Sequence, residues 1–333
     1  MLHRRRFLQL FGGFAAAAGL GAGRLLAAED SKLRRVSRTG RALGTEVSLT
    51  ALHEDAALAE RALEAGFAEL ELIESLMSIY RPESQLSRLN RDRVLSDPHP
   101  ALLEVLRAAA EISERSGGAF DITVQPLWAL FAAEHRAGGT PGNEAIAEAR
   151  ARVDWRRVET SEKQVRLRGA GTQITLNGIA QGFAADRVAQ TLSSHGIRHA
   201  LLDTGELSAL GSRAEGGPWR VGIQHPRNEE AYLSLAGLSG RCLATSGDYA
   251  TTFSEDFSAN HLFDPRTGRS PEALASVSIA APTGLLADAL STAVFVLGPE
   301  RGFELVRATR EVDALLVLKN GKTLATAGFP LES

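Results

Sequence analysis

From Leu285 to Phe295 the chain reads Leu-Leu-Ala-Asp-Ala-Leu-Ser-Thr-Ala-Val-Phe, an apolar run carrying a carboxylate at Asp288 and a hydroxyl at Thr292. In a helix that spacing stacks both side chains on one face. No other stretch constrains the fold as much, because burying a carboxylate without a partner is costly and the fold must supply one. Two partners are open. One is the set of free N–H groups at a helix start, with Thr292 bonding back to a carbonyl. The other is a hard cation, and Mg²⁺ is satisfied by one carboxylate together with substrate phosphates.

The periodicities around this run alternate between two kinds. Glu46 to His53 alternates as a strand does, and apolar residues recur at helical spacing from Glu54 to Leu76. Met77 to Ser84 is rich in turn residues. Pro100 to Ser116 predicts a helix with Pro near its first turn, stopped by Gly117-Gly118. Val165 to Leu176 suggests two short strands leading to Asn177-Gly178-Ile179-Ala180-Gln181-Gly182 and a helix to about His195. Strands are expected at His199–Asp203, Trp219–Gln224, Cys242–Thr245, Ala275–Ala280 and Asp313–Leu318, and helices at Leu285–Leu297 and Glu300–Thr309. No regular βαβ rhythm emerges. The expectation is therefore α+β, with mixed sheets and packed helices in two closely joined sub-lobes, the Gly/Pro-rich stretch 134–145 marking a loop or boundary between them.

Charge excludes one class of partner. Of 37 Lys and Arg residues, four lie in residues 1–28, so the remainder sets 33 basic against 40 acidic side chains, a net of −7. Nucleic acid requires a basic face, and none is implied. Cys242 is the only cysteine, so neither an internal disulfide nor a cysteine metal site is available. Arg4-Arg5-Arg6-Phe7-Leu8-Gln9 followed by a Gly/Ala-rich apolar stretch resembles a twin-arginine signal. Residues 1–28 are thus expected to be a signal peptide and 29–333 the functional domain, delivered folded to the periplasm. The alternative is an uncleaved signal that retains the chain at the inner membrane.

Three further clusters carry chemistry. Ser116-Gly117-Gly118-Ala119-Phe120-Asp121 offers close backbone approach, an aromatic face and an acceptor, or it is simply a helix C-cap and turn. Leu176 to Asp186 reads as strand, glycine turn and helix start, the arrangement that aims N–H groups at a phosphate, although the P-loop pattern is absent. Leu243 to Tyr249, followed by Asn260-His261-Leu262-Phe263-Asp264-Pro265-Arg266-Thr267-Gly268, contains the histidine best set to be a general base. The alternative there is a tight turn shaped by Asp264, Thr267 and Gly268 and capped by His261.

Taken in order, these motifs resemble the ApbE-type FAD:protein FMN transferase family. The resemblance runs from about Gly44 to Gly298 through Gly44-Thr45, Met77-Ser78-Ile79-Tyr80, Ser84, Leu89-Asn90, Gly118-Ala119-Phe120-Asp121, Gly178-Ile179-Ala180, Ala244 to Tyr249, His261 with Asp264 to Gly268, and Ala287-Asp288 with Thr292. It implies a central FAD cleft and a Mg²⁺-dependent enzyme that cuts FAD, its substrate, and joins FMN to a threonine or serine of an exported acceptor flavoprotein, releasing AMP. It further implies that Asp288, Thr292 and the Ala180 carbonyl hold the metal. Leu43, Ser78, Ile79, Tyr80, Asp121, Gln181 and Leu262 would line the FAD. His261 would take the acceptor proton, with Asp288 the other catalytic residue. Leu176-Asn177-Gly178-Ile179-Ala180-Gln181-Gly182 and Asp203-Thr204-Gly205-Glu206 make the chain look most similar to the exported NosX-like branch, whose acceptor would be a periplasmic or membrane-bound electron-transfer protein of nitrous oxide respiration.

Four positions depart from the family pattern. Gln181 stands where a lysine is usual, Leu43 where a methionine is usual, and Thr175 and Asn177 replace an Asp and a Gly. The first removes a positive charge beside the flavin nucleotide, while the second conserves volume. Two rival readings share the same residues: a pyrophosphatase that splits FAD with water, and a non-catalytic flavin carrier.

Overall fold

The computed structural model describes residues 32–332. The signal expected at residues 1–28 lies outside them. Among the described residues no helix is long and apolar enough to cross a membrane.

The chain opens with an antiparallel hairpin, β1 (Arg34–Ala42) and β2 (Thr45–His53). Its two-residue turn places Leu43 at φ 52° and Gly44 at φ 78°, the pair of positive angles whose twist matches that of the flanking strands. Asp55 then accepts hydrogen bonds from the amides of Ala57 and Leu58 and starts α1 (Ala56–Met77). The short helix α2 (Gln85–Asp92) follows, capped by Ser84, and leads into β3 (Val94–Ser96). α3 (Pro100–Arg115) begins at its proline, as expected. Next come α4 (Gln125–Arg136) and α5 (Asn143–Arg150). The connection expected over 134–145 is shorter than the composition suggested. Helix α4 continues through Arg136 and ends where Gly138, at φ 77°, lets the Gly139 amide bond back to Glu134.

β4 (Val158–Thr160) and β5 (Gln164–Leu167) complete a three-stranded sheet with β3. The second strand expected before Leu176 does not form. Ile174 gives its amide to Asn90 Oδ1 and takes Asn90 Nδ2 on its carbonyl, while Thr175 donates to Ile122, so side chain and loop satisfy this backbone in place of a neighbouring strand. α6 (Ala180–Ser194), β6 (His199–Asp203) and β7 (Leu207–Leu210) follow, then a two-stranded ribbon of β8 (Trp219–His225) and β9 (Asn228–Leu238). β10 (Cys242–Gly247), β11 (Leu274–Ala281), α7 (Gly284–Arg307), β12 (Asp313–Leu318) and β13 (Thr323–Ala325) close the chain. The two helices expected at the end of this stretch are the two arms of α7, separated at Gly298 (φ 77°) before Pro299, where the missing N–H and the ring prevent continuation.

The main sheet runs β1-β2-β6-β7-β10-β11-β12-β13 and every pairing in it is antiparallel. The molecule is α+β. Alternate residues divide between two cores, because successive side chains leave a strand on opposite faces. Ala200, Leu202, Ala244, Val277, Ile279, Ala314 and Leu316 join the core beneath the helices. Leu201, Leu243, Ala280 and Leu315 join Trp219, Val221, Ile223, Ala236 and Leu238 beneath the ribbon. Both faces of the central strands are covered, which is why those strands read as nearly continuous apolar runs rather than alternating ones. A third cluster, Leu127, Phe131, Ile146, Phe253 and Phe263, ties α4 and α5 to the connection between β10 and β11.

Candidate active site

Helix α6 starts from the turn at Asn177–Ile179, where the Leu176 carbonyl accepts both the Ile179 and Ala180 amides at 3.0 and 2.8 Å. Gly178 lies so close to α7 that a Cβ there would stand 2.9 Å from Thr292 Oγ1 and 3.6 Å from the Phe120 ring. A side chain there would push the Thr292 hydroxyl out of its place. Ile179 supplies no cap of its own to α6. Instead Asp288 Oδ2, from α7, accepts the Gly182 amide at 3.0 Å. One turn further along α7, Thr292 Oγ1 is 3.2 Å from Ser246 Oγ on β10, which is itself 2.7 Å from Ser291 Oγ.

The structure realises the first of the partners open to Asp288, a free N–H group at a helix start, although that start belongs to α6 and not to the helix that carries it. Asp288 is 3% exposed, and Ser246 and Ser291 are also buried. The donors gathered here are all oxygen: one carboxylate and the Thr292 and Ser246 hydroxyls. Among the described residues no group of three or more His, Cys, Asp or Glu side chains is placed to hold a metal ion. A site with one carboxylate fits Mg²⁺, which completes its shell with substrate phosphates and water, and does not fit zinc, which wants several nitrogen or sulfur ligands.

The segment after α1 reaches the same turn. Tyr80, 58% exposed, lies by the Asn177 side chain, and its amide is held at 3.1 Å by Ser78 Oγ. The Ser78 carbonyl accepts from the hydroxyls of Ser84 and Ser87 at 2.6 and 3.1 Å, fixing the exit from α1. Gln181 lies against the turn after β6: a Cβ on Gly205 (φ 97°) would meet Gln181 Nε2 at 2.7 Å, and Thr204 Oγ1 donates to the Gln181 carbonyl at 3.3 Å. Ala180, Gln181, Asp288, Thr292, Asn177 and Tyr80 therefore form one neighbourhood.

Asp121 faces protein. Its carboxylate accepts from the Thr123 amide and hydroxyl at 2.7 and 2.6 Å and from the Trp155 amide at 3.1 Å. Burial holds this carboxyl above the usual carboxylate range, against the pull of those donors. Leu43 and Ile79 pack partly buried on the main core, and Leu262 is buried within it.

His261 is carried by the connection that follows β10. Its Nδ1 lies 3.2 Å from the Thr251 carbonyl, which also accepts its amide at 3.0 Å. In the neutral ring this bond assigns the proton to Nδ1 and leaves Nε2 the acceptor, as a base requires. The Asp264–Gly268 turn closes on itself: Asp264 takes the Arg266 amide and guanidinium, and its carbonyl takes the Gly268 amide at 2.8 Å. His261 is not its cap.

Ser246 and the buried acids Asp203 and Glu206 were not singled out among the sequence candidates for the site. Glu206 Oε2 accepts the Thr245 amide at 3.0 Å, next to Ser246, and Asp203 Oδ1 accepts the Gly205 amide at 3.1 Å beside Gln181. The signal available was two acids flanking Thr-Gly between apolar strands, where unpaired charge would be costly.

This arrangement of sheet, α6 and α7 is the fold of the ApbE flavin transferases. The structure matches ApbE from Vibrio cholerae with a TM-score of 0.77 at 26% identity, covering 89% of this chain and 98% of that one. It matches the Pseudomonas stutzeri flavinyl transferase ApbE, also with a TM-score of 0.77, at 30% identity over 89% of this chain and 95% of that one. The ApbE family profile covers residues 43–316. The FAD:protein FMN transferase of Haemophilus influenzae is 33% identical over 84% of this chain and 86% of its own length. That of Treponema pallidum is 33% identical over 90% and 89%. The chain belongs to the ApbE family.

Proposed function

We propose that this chain moves FMN from FAD to a serine or threonine hydroxyl of an exported acceptor flavoprotein, with AMP as the other product. The hydroxyl oxygen bonds to the phosphorus of the FMN half, the bridging P–O bond to the AMP half breaks, and the hydroxyl proton passes to His261 Nε2. One observation carries the reading. Asp288, buried, and Thr292, half-buried, converge on the N-terminal turn of α6, where N–H groups and a positive dipole end attract phosphate.

Asp288, Thr292 and the Ala180 carbonyl would hold Mg²⁺, which when bound supplies positive charge to the diphosphate. Tyr80, Ser78 and Gln181, gathered around the same turn, orient the nucleotide, with Leu43, Ile79, Asp121 and Leu262 supporting its pocket. Phosphoryl transfer asks little covalent chemistry of a protein beyond such positioning and a proton acceptor. Residues 1–28 act as the twin-arginine signal and residues 29–333 as the transferase domain, so the acceptor is periplasmic or membrane-bound. The NosX-like features make an electron-transfer protein of nitrous oxide respiration the acceptor to try first.

The test is incubation of the chain from Glu29 with FAD, Mg²⁺ and a candidate exported flavoprotein, followed by mass spectrometry and AMP measurement. One FMN joined to one hydroxyl for each AMP released is the expected result. AMP without acceptor modification identifies an FAD pyrophosphatase, and a stable, reducible flavin without turnover identifies a carrier.

A further inference from the structure

His261 sits on a long connection between β10 and β11, and something must hold that connection in place. The first residue after β10 is Asp248, whose side chain is wholly buried. Its carboxylate meets two cations. Arg227, from the ribbon turn, pairs with it through both guanidinium nitrogens at 2.7 and 2.8 Å, and Lys319, past β12, reaches it at 2.6 Å. Bidentate pairing of this kind fixes geometry as well as charge.

Both cations also grip one residue further along the connection. The Arg227 guanidinium lies 4.2 Å from the centre of the Phe257 ring, and Lys319 Nζ donates to the Phe257 carbonyl at 2.8 Å. Phe257 has φ 60°, a left-handed conformation that a bulky residue adopts only when its surroundings impose it. The same carbonyl accepts Asn260 Nδ2 at 3.2 Å. Asn260 is wholly buried. Its Oδ1 takes the Leu262 amide at 3.0 Å, and its main chain is bracketed by Ser270 Oγ at 2.8 Å on both sides. Asn260 and Leu262 flank His261.

We propose that Asp248 is a positioning residue for His261, acting through Arg227, Lys319, Phe257 and Asn260. It gathers two cations that would otherwise repel each other, and those cations set the backbone that aims the imidazole. The proposal rests on the reading of His261 as the proton acceptor.

The test is a double-mutant cycle on FMN transfer with Asp248→Asn, His261→Ala and the pair, with FAD affinity read separately by flavin fluorescence. Asp248→Asn should lower kcat by on the order of 10- to 100-fold, the effect of displacing a catalytic group by about an ångström, with FAD affinity held within about threefold. In the His261→Ala background the same substitution should change kcat less than about twofold. A full effect repeated in that background, or a kcat within about twofold of the parent for Asp248→Asn alone, overturns the proposal. Should Asp248→Asn not fold, Lys319→Met, which removes a partly exposed cation, takes its place under the same criteria. Nitrogen NMR of His261 separates this inference from the function itself. Loss of the Nδ1–H tautomer in the variant supports the positioning role even if the parent transfers no FMN, and an unchanged tautomer with unchanged ring environment overturns it.

Discussion

Asp186 and Asp288 each close the first turn of the other's helix. Asp186, on α6, accepts the Gly284 and Leu285 amides of α7 at 2.6 and 2.9 Å, and Asp288, on α7, accepts the Gly182 amide of α6 at 3.0 Å. The helices can exchange caps only because they touch backbone to backbone. A Cβ on Gly182 would lie 2.0 Å from the Gly284 carbonyl oxygen, and one on Gly284 would lie 2.4 Å from that of Gly182. The same contact that stabilises two helix starts sets Asp288 one turn from Thr292 at the proposed metal position.

Gly182→Ala cannot be absorbed by a side chain swinging aside, because the obstacle is main chain. It should cost about 1–3 kcal/mol or more and lower the melting temperature accordingly. Gly284→Ala should act on the same contact, so the double variant should lose less than the two single losses together. Thermal melts of the three variants check this, and additive losses would contradict a shared contact.

Asp288→Asn and Asp288→Ala separate the cap from the charge. The amide oxygen of Asn can still accept the Gly182 amide, so Asn should melt within about 1 kcal/mol of the parent, whereas Ala should lose about 0.5–2 kcal/mol of capping. Both should abolish Mg²⁺-dependent AMP release. Full metal-dependent activity in the folded Asn variant would refute the metal assignment.

The exposed turn at Asp256 should loosen in acid. Bonds from the Ser258 hydroxyl and amide and the Ser254 hydroxyl hold the Asp256 carboxyl down at about 2, against an ordinary 3.8. For a depressed acid the stabilisation is present above the unfolded value and is lost as pH falls through the folded one. The Ser258 amide should therefore exchange faster as pH is lowered from 3.8 towards 2, once the intrinsic pH dependence of exchange is removed. Asp256→Ala should abolish that step, and its persistence would locate the transition elsewhere.

Cys242 should be inert in the native state. Burial pushes its thiol up to about 12, with the Asp186 carboxylate adding to the shift, so almost no thiolate exists at neutral pH. A thiol reagent at pH 8 should label it only after denaturant is added. Rapid labelling of the folded chain would show that the α6–α7 region opens locally.

Much of this fold was legible in the residues. Helix α1, α3 with its leading proline, the break before Pro299 and the central strands follow from periodicity and from where Pro and Gly cannot continue an element. β1 was not, because its exposed residues carry little apolar pattern, nor was the loss of the second strand before Leu176, which depends on Asn90 from a distant helix. Asp288 and Thr292 could be picked out because four residues on a helix is a local distance, and a charge among apolar neighbours demands an explanation from the sequence itself. Three further features were settled only when the chain closed on itself: that the Asp288 carboxylate meets another helix's amide, that Ser246 stands beside Thr292, and that Asp248 reaches Phe257 through two cations. Local stereochemistry repeats every few residues and can be read along the chain, whereas a partner brought from another segment is fixed by packing, and packing has no period.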